Sequence, residues 1–228
     1  MATRPVYIPR LDSVGVITKN VEFKWFPGMS KSQKQKSIKS LHEAANELSI
    51  SPILEISSKS EEEIGINLSA FNLMITTPQS RLFSVETAFQ SSKVFEKGGP
   101  YVDLLDGTSR QAKKDIRLRE SGNLSGFLFF DKKFPLKPRT YFYDWLYINA
   151  LHQNKNLSGM IENYKGFTDI EFNPKKSINC QAYSAALYVS LNHNQLIESS
   201  LTPESFLLTV GKSYTENNSE TMIQTSLI

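Results

Sequence analysis

One cysteine, Cys180, and three histidines, His42, His152 and His193, are all that 228 residues offer to thiolate or imidazole chemistry. A lone thiol excludes an internal disulfide, and with it the small secreted scaffold held by bridges. No two histidines stand at metal-ligand spacing, so neither a metal nor another cofactor is expected. Nowhere do about 18 apolar residues follow one another, which argues against a membrane helix or membrane partner. The start, Met-Ala-Thr-Arg-Pro-Val-Tyr-Ile-Pro-Arg, lacks the apolar stretch of a secretory signal, and the expected compartment is the cytoplasm. Acid is missing from one place in particular. Between Phe23 and His42 there is no Asp or Glu, whereas Lys24, Lys31, Lys34, Lys36 and Lys39 accompany Phe23, Trp25 and Phe26.

What is present is the composition of a globular chain, 39% hydrophobic and 21% charged, with length for one core of ordinary size. Fourteen Phe and nine Tyr suit a core, or a groove in which flat rings are bound. A net charge of +3 permits an anionic partner without demanding one.

Short extended segments are expected at residues 6–8, 14–17 and 21–25, divided by Pro and by Asp-Ser or Lys-Asn turns. Helical spacing of Ile38, Leu41, Ala44 or Ala45, and Leu48 predicts a helix over residues 30–49 with a basic entry. A strand follows at 53–56, then a turn at 67–72 running into an apolar segment. Ser84 is an N-cap candidate for a helix that Gly98-Gly99-Pro100 stops, placing its end near Lys97. Residues 110–120 read as a charged helix, 126–130 as a strand and 141–151 as an aromatic helix. Residues 167–178 read as irregular, Asn179 as the opening of a helix to Leu191, and Thr202-Pro203-Glu204 as the start of a last one. The expected fold class is α+β, a single mainly helical domain with a small sheet. Within it residues 1–50 form strands and a basic helix packed on the core, 51–211 the core, and 212–228 a polar tail.

On a helix through residues 84–97, Glu86, Gln90 and Lys93 fall within roughly 60° of one another at 100° per residue. Glu86 and Lys93 are too far apart in sequence for an i,i+4 ion pair, so their shared face invites a group placed between them. The same positions also suit an acid favoured by the helix dipole in the first turn and a solvated lysine.

The pattern Ser84-x-Glu86-x-x-Phe89-Gln90-x-x-Lys93-x-Phe95 resembles the signature helix of the NADAR (NAD and ADP-ribose associated), or YbiA-like, proteins. Further similarities occur in order. Leu68-Ser69-Ala70-Phe71-Asn72 resembles the family's F-S-N-F turn and Asp144-Trp145 its D-W helix start. Asp169-Ile170-Glu171-Phe172-Asn173 resembles its D-x-x-W-G, followed by Asn179 where the family has an Asn before its last core helix. The resemblance covers residues 50–192. Phe172-Asn173 stands in place of Trp-Gly, Ser69 and Ala70 blur the turn, and the first 50 residues are additional to compact members.

The pattern looks most like the NADAR branch that acts as antitoxin to DNA-guanosine ADP-ribosyltransferase (DarT-type) toxins. The resemblance implies a glycohydrolase that removes ADP-ribose from guanosine in single-stranded DNA, with the transferase as its functional partner. Cleaving a ribose to nitrogen bond builds positive charge on the anomeric carbon and needs a proton for the departing amine. That makes Glu86 the first candidate for acid and base, and Asp169 a second carboxylate for the cation or the ribose hydroxyls. Lys93 is a candidate either to neutralise pyrophosphate or, as a desolvated amine, to form a Schiff base with the opened sugar. Ligand contacts are expected from Ser69, Phe71, Asn72, Gln90, Trp145, Phe172 and Asn179, although Asn179 also suits a helix cap. For phosphates or nucleic acid the candidates are Trp25, Lys31, Lys34 and Lys36, where cations alternate with rings, and Lys113, Arg117 and Arg119. Alternative functions are an N-glycosidase of a small ribosylated metabolite, as in the riboflavin pathway, and a non-catalytic module that binds ADP-ribose or single-stranded DNA.

Overall fold

The amino-terminal segments expected as three short strands form two long ones. A computed structural model describes residues 1–174 and 177–225, with side chains as far as Tyr214. In it β1 (Ala2–Pro9) and β2 (Val16–Phe23) pair antiparallel over their full length, from Ala2 opposite Phe23 to Pro9 opposite Val16. Lys19 and Asn20, expected as a turn, lie inside β2, because every residue of β1 finds a cross-strand partner there. The basic helix α1 (Lys31–Glu47) starts where expected, with the Ser30 hydroxyl accepting from the Gln33 N–H. It buries Ile38, Leu41 and Ala45 against Val6, Val21, Phe23, Ile53 and Ile170. Each large aliphatic side chain so buried contributes about 1.5–3 kcal/mol.

Next come β3 (Ile53–Glu55), α2 (Glu63–Asn67), β4 (Met74–Thr76) and β5 (Leu82–Ser84). Gly65 of α2 has no tolerance for a side chain: a Cβ there would stand 2.1 Å from the Glu55 carbonyl oxygen, so the glycine lets α2 lie directly on β3. Helix α3 (Val85–Ser91) is short and is followed at once by β6 (Lys93–Phe95). The sequence predicts one helix to Lys97. It ends early because Lys93 and Val94 pair with Phe127 and Gly126 of β7 (Leu124–Phe129), a ladder that outcompetes another helical turn.

The charged stretch after it is broken into α4 (Ser109–Lys114) and α5 (Arg117–Glu120), parted where Asp115 turns back to accept from the Arg117 N–H. The remainder is β8 (Lys132–Phe134), α6 (Tyr141–Gln153), α7 (Lys155–Ile161), β9 (Gly166–Thr168), α8 (Gln181–His193) and α9 (Pro203–Thr225). Thus the segment expected to be irregular from Phe167 begins as a strand, and α9 runs on through the polar residues after Lys212.

The fold is α+β, with strands divided among a four-stranded sheet in the order β2-β1-β9-β3, a pair β4-β5 and a three-stranded sheet β6-β7-β8. Helix α6 is buried on nearly every side, as its all-round apolar composition requires. It packs against α8, whose Ala182, Ser184, Ala185 and Ala186 allow close approach. Among the described residues no helix is long and apolar enough to cross a membrane.

Candidate active site

The turn at residues 68–72 is the hub. Ser69 donates to the Ile66 carbonyl, Asn72 Nδ2 donates to the same oxygen, and the Tyr147 hydroxyl donates to the Leu68 carbonyl. The side chains of Ser69 and Asn72 therefore shape the turn. Its central residue, Ala70, is held on both sides: its carbonyl accepts from the Glu86 N–H and its own N–H donates to Gln181 Oε1. One peptide thereby ties the start of α3 to the start of α8.

Ser84 caps α3 by accepting from the Thr87 N–H, and it also meets Ser109 at 2.8 Å. Ser109 in turn donates to the Phe71 carbonyl, so α4 is locked beside the turn. Glu86 occupies the first turn of α3 and is only 6% exposed. Its Oε1 accepts from Gln90 Nε2 at 2.9 Å, which fixes the amide with Oε1 pointing away. That Gln90 oxygen is buried and, among the described residues, has no hydrogen-bond partner. A buried acceptor without a partner costs about 1–3 kcal/mol.

Lys93 is not on the helix face expected for it, yet it is in the same electrostatic neighbourhood. Its Nζ stands 5.0 Å over the Phe89 ring, and the Gly99 backbone packs under it so tightly that a Cβ at Gly99 would lie 2.2 Å from the Lys93 carbonyl. Gly99 has φ +83°, a conformation only glycine adopts freely. Burial lowers the Lys93 pKa from the ordinary lysine value, the Glu86 charge opposes that shift, and the Lys113 charge adds to it. Lys113 comes from α4 with Nζ 3.8 Å from Glu86 Oε1 and 5.1 Å over the Phe71 ring, its side chain more than half exposed. Acid, amide and two amines thus gather from α3, β6 and α4.

Asp169 is placed differently. Its Oδ1 accepts from the Glu171 and Phe172 N–H groups and its Oδ2 from Gln181 Nε2, the same amide that holds Ala70 and that also donates to the Ile56 carbonyl. Glu55 brackets it, accepting from the Thr168 hydroxyl at 2.7 Å and from the Ile170 N–H at 2.9 Å. Burial, reinforced by the Glu55 charge, pushes the Asp169 carboxyl well above the usual carboxylate range. The buried Tyr143 phenol, pushed up by burial, feels both Glu86 and Asp169. Glu55, Tyr143 and Gln181 escaped the sequence reading. Glu55 sits in an ordinary strand, and only the parallel pairing of β3 with β9 reveals it.

Cys180, not Asn179, is the N-cap residue of α8. Asn179 is therefore no cap, and among the described residues its buried Oδ1, like the Gln90 Oε1, has no hydrogen-bond partner. Phe172 is buried beside the Asp169 loop. Trp145 lies in the aromatic core against Phe129 and Phe134, with its indole N–H donated to the Leu201 carbonyl. Arg117 is neutralised by Asp103 and Asp115 and stacked on Tyr101, whereas Lys31, Lys36 and Arg119 are exposed. Trp25 lies between Arg4 and Lys34, and Lys34 pairs with Glu171 at 3.1 Å. Two open clefts flank the turn. One of about 520 Å³ is lined by Asn72, Met74 and Asn154, another of about 440 Å³ by Phe71, Leu82 and Thr108, and Glu86 and Lys93 line neither.

A family model described as DarT1-associated NADAR antitoxin matches residues 2–220. The chain belongs to this family. The match takes in β1, β2 and α1, so the amino-terminal elements fall within this family's extent. A search of curated proteins found no match. Membership associates the chain with DarT1 as an antitoxin, and the turn, α3 and the Asp169 loop lie within the matched span.

Proposed function

We propose that the protein is a glycohydrolase that removes ADP-ribose from guanine bases of single-stranded DNA, reversing in the cytoplasm the product of a DNA ADP-ribosyltransferase. The observation that carries this reading is the buried acid Glu86 beside the desolvated amine of Lys93, with the Gln90 acceptor left open next to them. Antitoxin family membership supports the biological direction.

The chemistry follows from the bond to be cleaved. The guanine amine is joined to the anomeric carbon, so its lone pair can expel the ring oxygen, which takes a proton that Glu86 relays from the Lys93 ammonium, leaving an iminium. Lys93, with its pKa lowered mainly by burial, supplies a neutral amine that adds to that carbon. Glu86 relays a proton from the added amine to the departing guanine amine, and water then hydrolyses the lysine Schiff base to free ADP-ribose. Lys113, at the exposed edge, faces the diphosphate. Gln90 Oε1 and Asn179 Oδ1 accept from ribose hydroxyls or base N–H groups. Asp169, with both oxygens already engaged, acts as a positioning residue that shapes the loop bearing Phe172 and, through Gln181, the turn beneath Glu86.

The test is incubation of the parent, Glu86→Gln and Lys93→Ala with an oligonucleotide ADP-ribosylated on guanosine. Release of ADP-ribose by the parent and its loss in both variants supports the reading. Equal activity in all three rejects the assigned roles, and no release by any of them rejects the glycohydrolase.

A further inference from the structure

The hairpin formed by β7 and β8 carries a feature that the site does not use. Its two-residue turn is Phe130-Asp131, and Phe130 has φ +52°, where hairpin turns favour Gly or Asn and a bulky residue is strained. The Phe130 ring is 54% exposed, leaning on Phe83 and Phe129 with centroids at 6.3 and 4.7 Å. In β8 and the segment after it Lys132, Lys133, Lys137 and Arg139 are exposed, and among the described residues none of the four has a carboxylate ion-pair partner. Asp131 is the one acid in this stretch. By contrast Arg117 and Lys34, two of the cations singled out from the sequence, are tied to carboxylates of their own chain.

The hairpin belongs to the sheet that holds Lys93. Lys93 pairs with Phe127, and Phe127 with Phe134, so β8 lies two strand spacings, about 10 Å, from the strand of the reactive amine. Its tip reaches Phe83, the residue before the Ser84 cap of α3.

We propose that this hairpin is a docking surface for the single-stranded DNA that flanks the modified guanosine. Phe130 stacks on a base, and Lys132, Lys133, Lys137 and Arg139 track the phosphates. An exposed ring amid uncompensated cations is the arrangement that holds single strands without reading sequence. The proposal rests on the DNA reading above and adds the path of the strand outside the acid and amine.

Fluorescence anisotropy of the full-length protein with an unmodified, labelled single-stranded oligonucleotide tests it. Lys132→Ala with Lys133→Ala is expected to weaken binding about tenfold at moderate salt and to flatten the log–log salt dependence by about 1.4, two phosphates' worth for a single strand. Phe130→Ala is expected to weaken it about fivefold with the salt slope unchanged, since stacking releases no counterions. A charge-matched control, Lys19→Ala with Lys165→Ala, removes two exposed cations elsewhere. Absence of binding by the parent, equal losses in control and hairpin variants, or undiminished affinity in the hairpin variants would each overturn the proposal. So would hairpin variants that keep DNA affinity and lose binding to the purified transferase. Because the oligonucleotide is unmodified, a protein that binds it through the hairpin without releasing ADP-ribose from modified DNA would sink the catalytic reading alone.

Discussion

Glu86 and Asp169 are both carboxylates withdrawn from solvent within the family's matched span, Glu86 buried and Asp169 half-buried, yet their surroundings differ in one decisive respect. Asp169 has both oxygens engaged by its own chain, two backbone N–H groups on one and Gln181 on the other, and burial raises its pKa. Among the described residues Glu86 accepts only from Gln90 at hydrogen-bond distance, with Lys113 at 3.8 Å, and the amide beside it has a buried oxygen without a partner. Satisfied capacity suits a residue that holds structure, and unsatisfied capacity beside a desolvated amine suits the substrate contact proposed for Glu86.

The comparison breaks first at Glu86. Glu86→Gln should lower kcat by about 10²- to 10⁴-fold, the usual worth of general acid–base catalysis, with little change in Tm. A variant that unfolds instead would make Glu86 another structural acid. Next in size is the link between the two regions. Gln181→Ala leaves the Ala70 N–H without its acceptor and frees Asp169 Oδ2, a loss of about 1–3 kcal/mol, or roughly 2–12 °C in Tm for a chain of this size. Thermal unfolding measures it, and KM should rise as the turn under Glu86 loosens.

Another buried carboxylate, Asp144, extends the rule. It accepts from Ser184 and Tyr214, and burial raises it to about 6. Because its folded pKa lies above the unfolded value of 3.8, its contribution is full below about pH 4 and is lost as pH rises through 6. Asp169 adds the same sign. His42, lowered to about 4 by burial, acts oppositely, since its contribution is lost as pH falls from 6.5 towards 4. Comparing parent with Asp144→Asn cancels His42 and Asp169. Between pH 4 and 8 the stability difference between the two proteins should then change by at most about 3 kcal/mol in total, nearly all of it below pH 7. The smallest effect is at Lys113, whose charge helps depress Lys93. In Lys113→Ala the limb of the pH–rate profile that reports the Lys93 amine should move to higher pH.

Much of the fold was legible. Ser84 and Ser30 cap helices because a hydroxyl before an apolar periodic run has no better use, and α1 and α6 follow their patterns closely. What misled was reading periodicity past its end. Residues 92–95 keep a helical spacing of apolar side chains, but the ladder to β7 claims their backbone, and Lys93 reaches the Glu86 neighbourhood by way of a strand. The same limit hid Glu55 and Gln181, whose roles exist only through pairing between segments over 100 residues apart. For Trp145 and Arg117 the residue type suited a ligand, but a carbonyl in one case and two aspartates in the other already occupy them.

The account turns on which amine meets the sugar. Borohydride reduction during turnover of an ADP-ribosylated oligonucleotide, followed by peptide mass mapping, measures this directly. A reduced ADP-ribose adduct on Lys93, missing when that lysine is replaced by arginine, is the expected result. Steady release of ADP-ribose with no adduct, or with the adduct on Lys113, would contradict it.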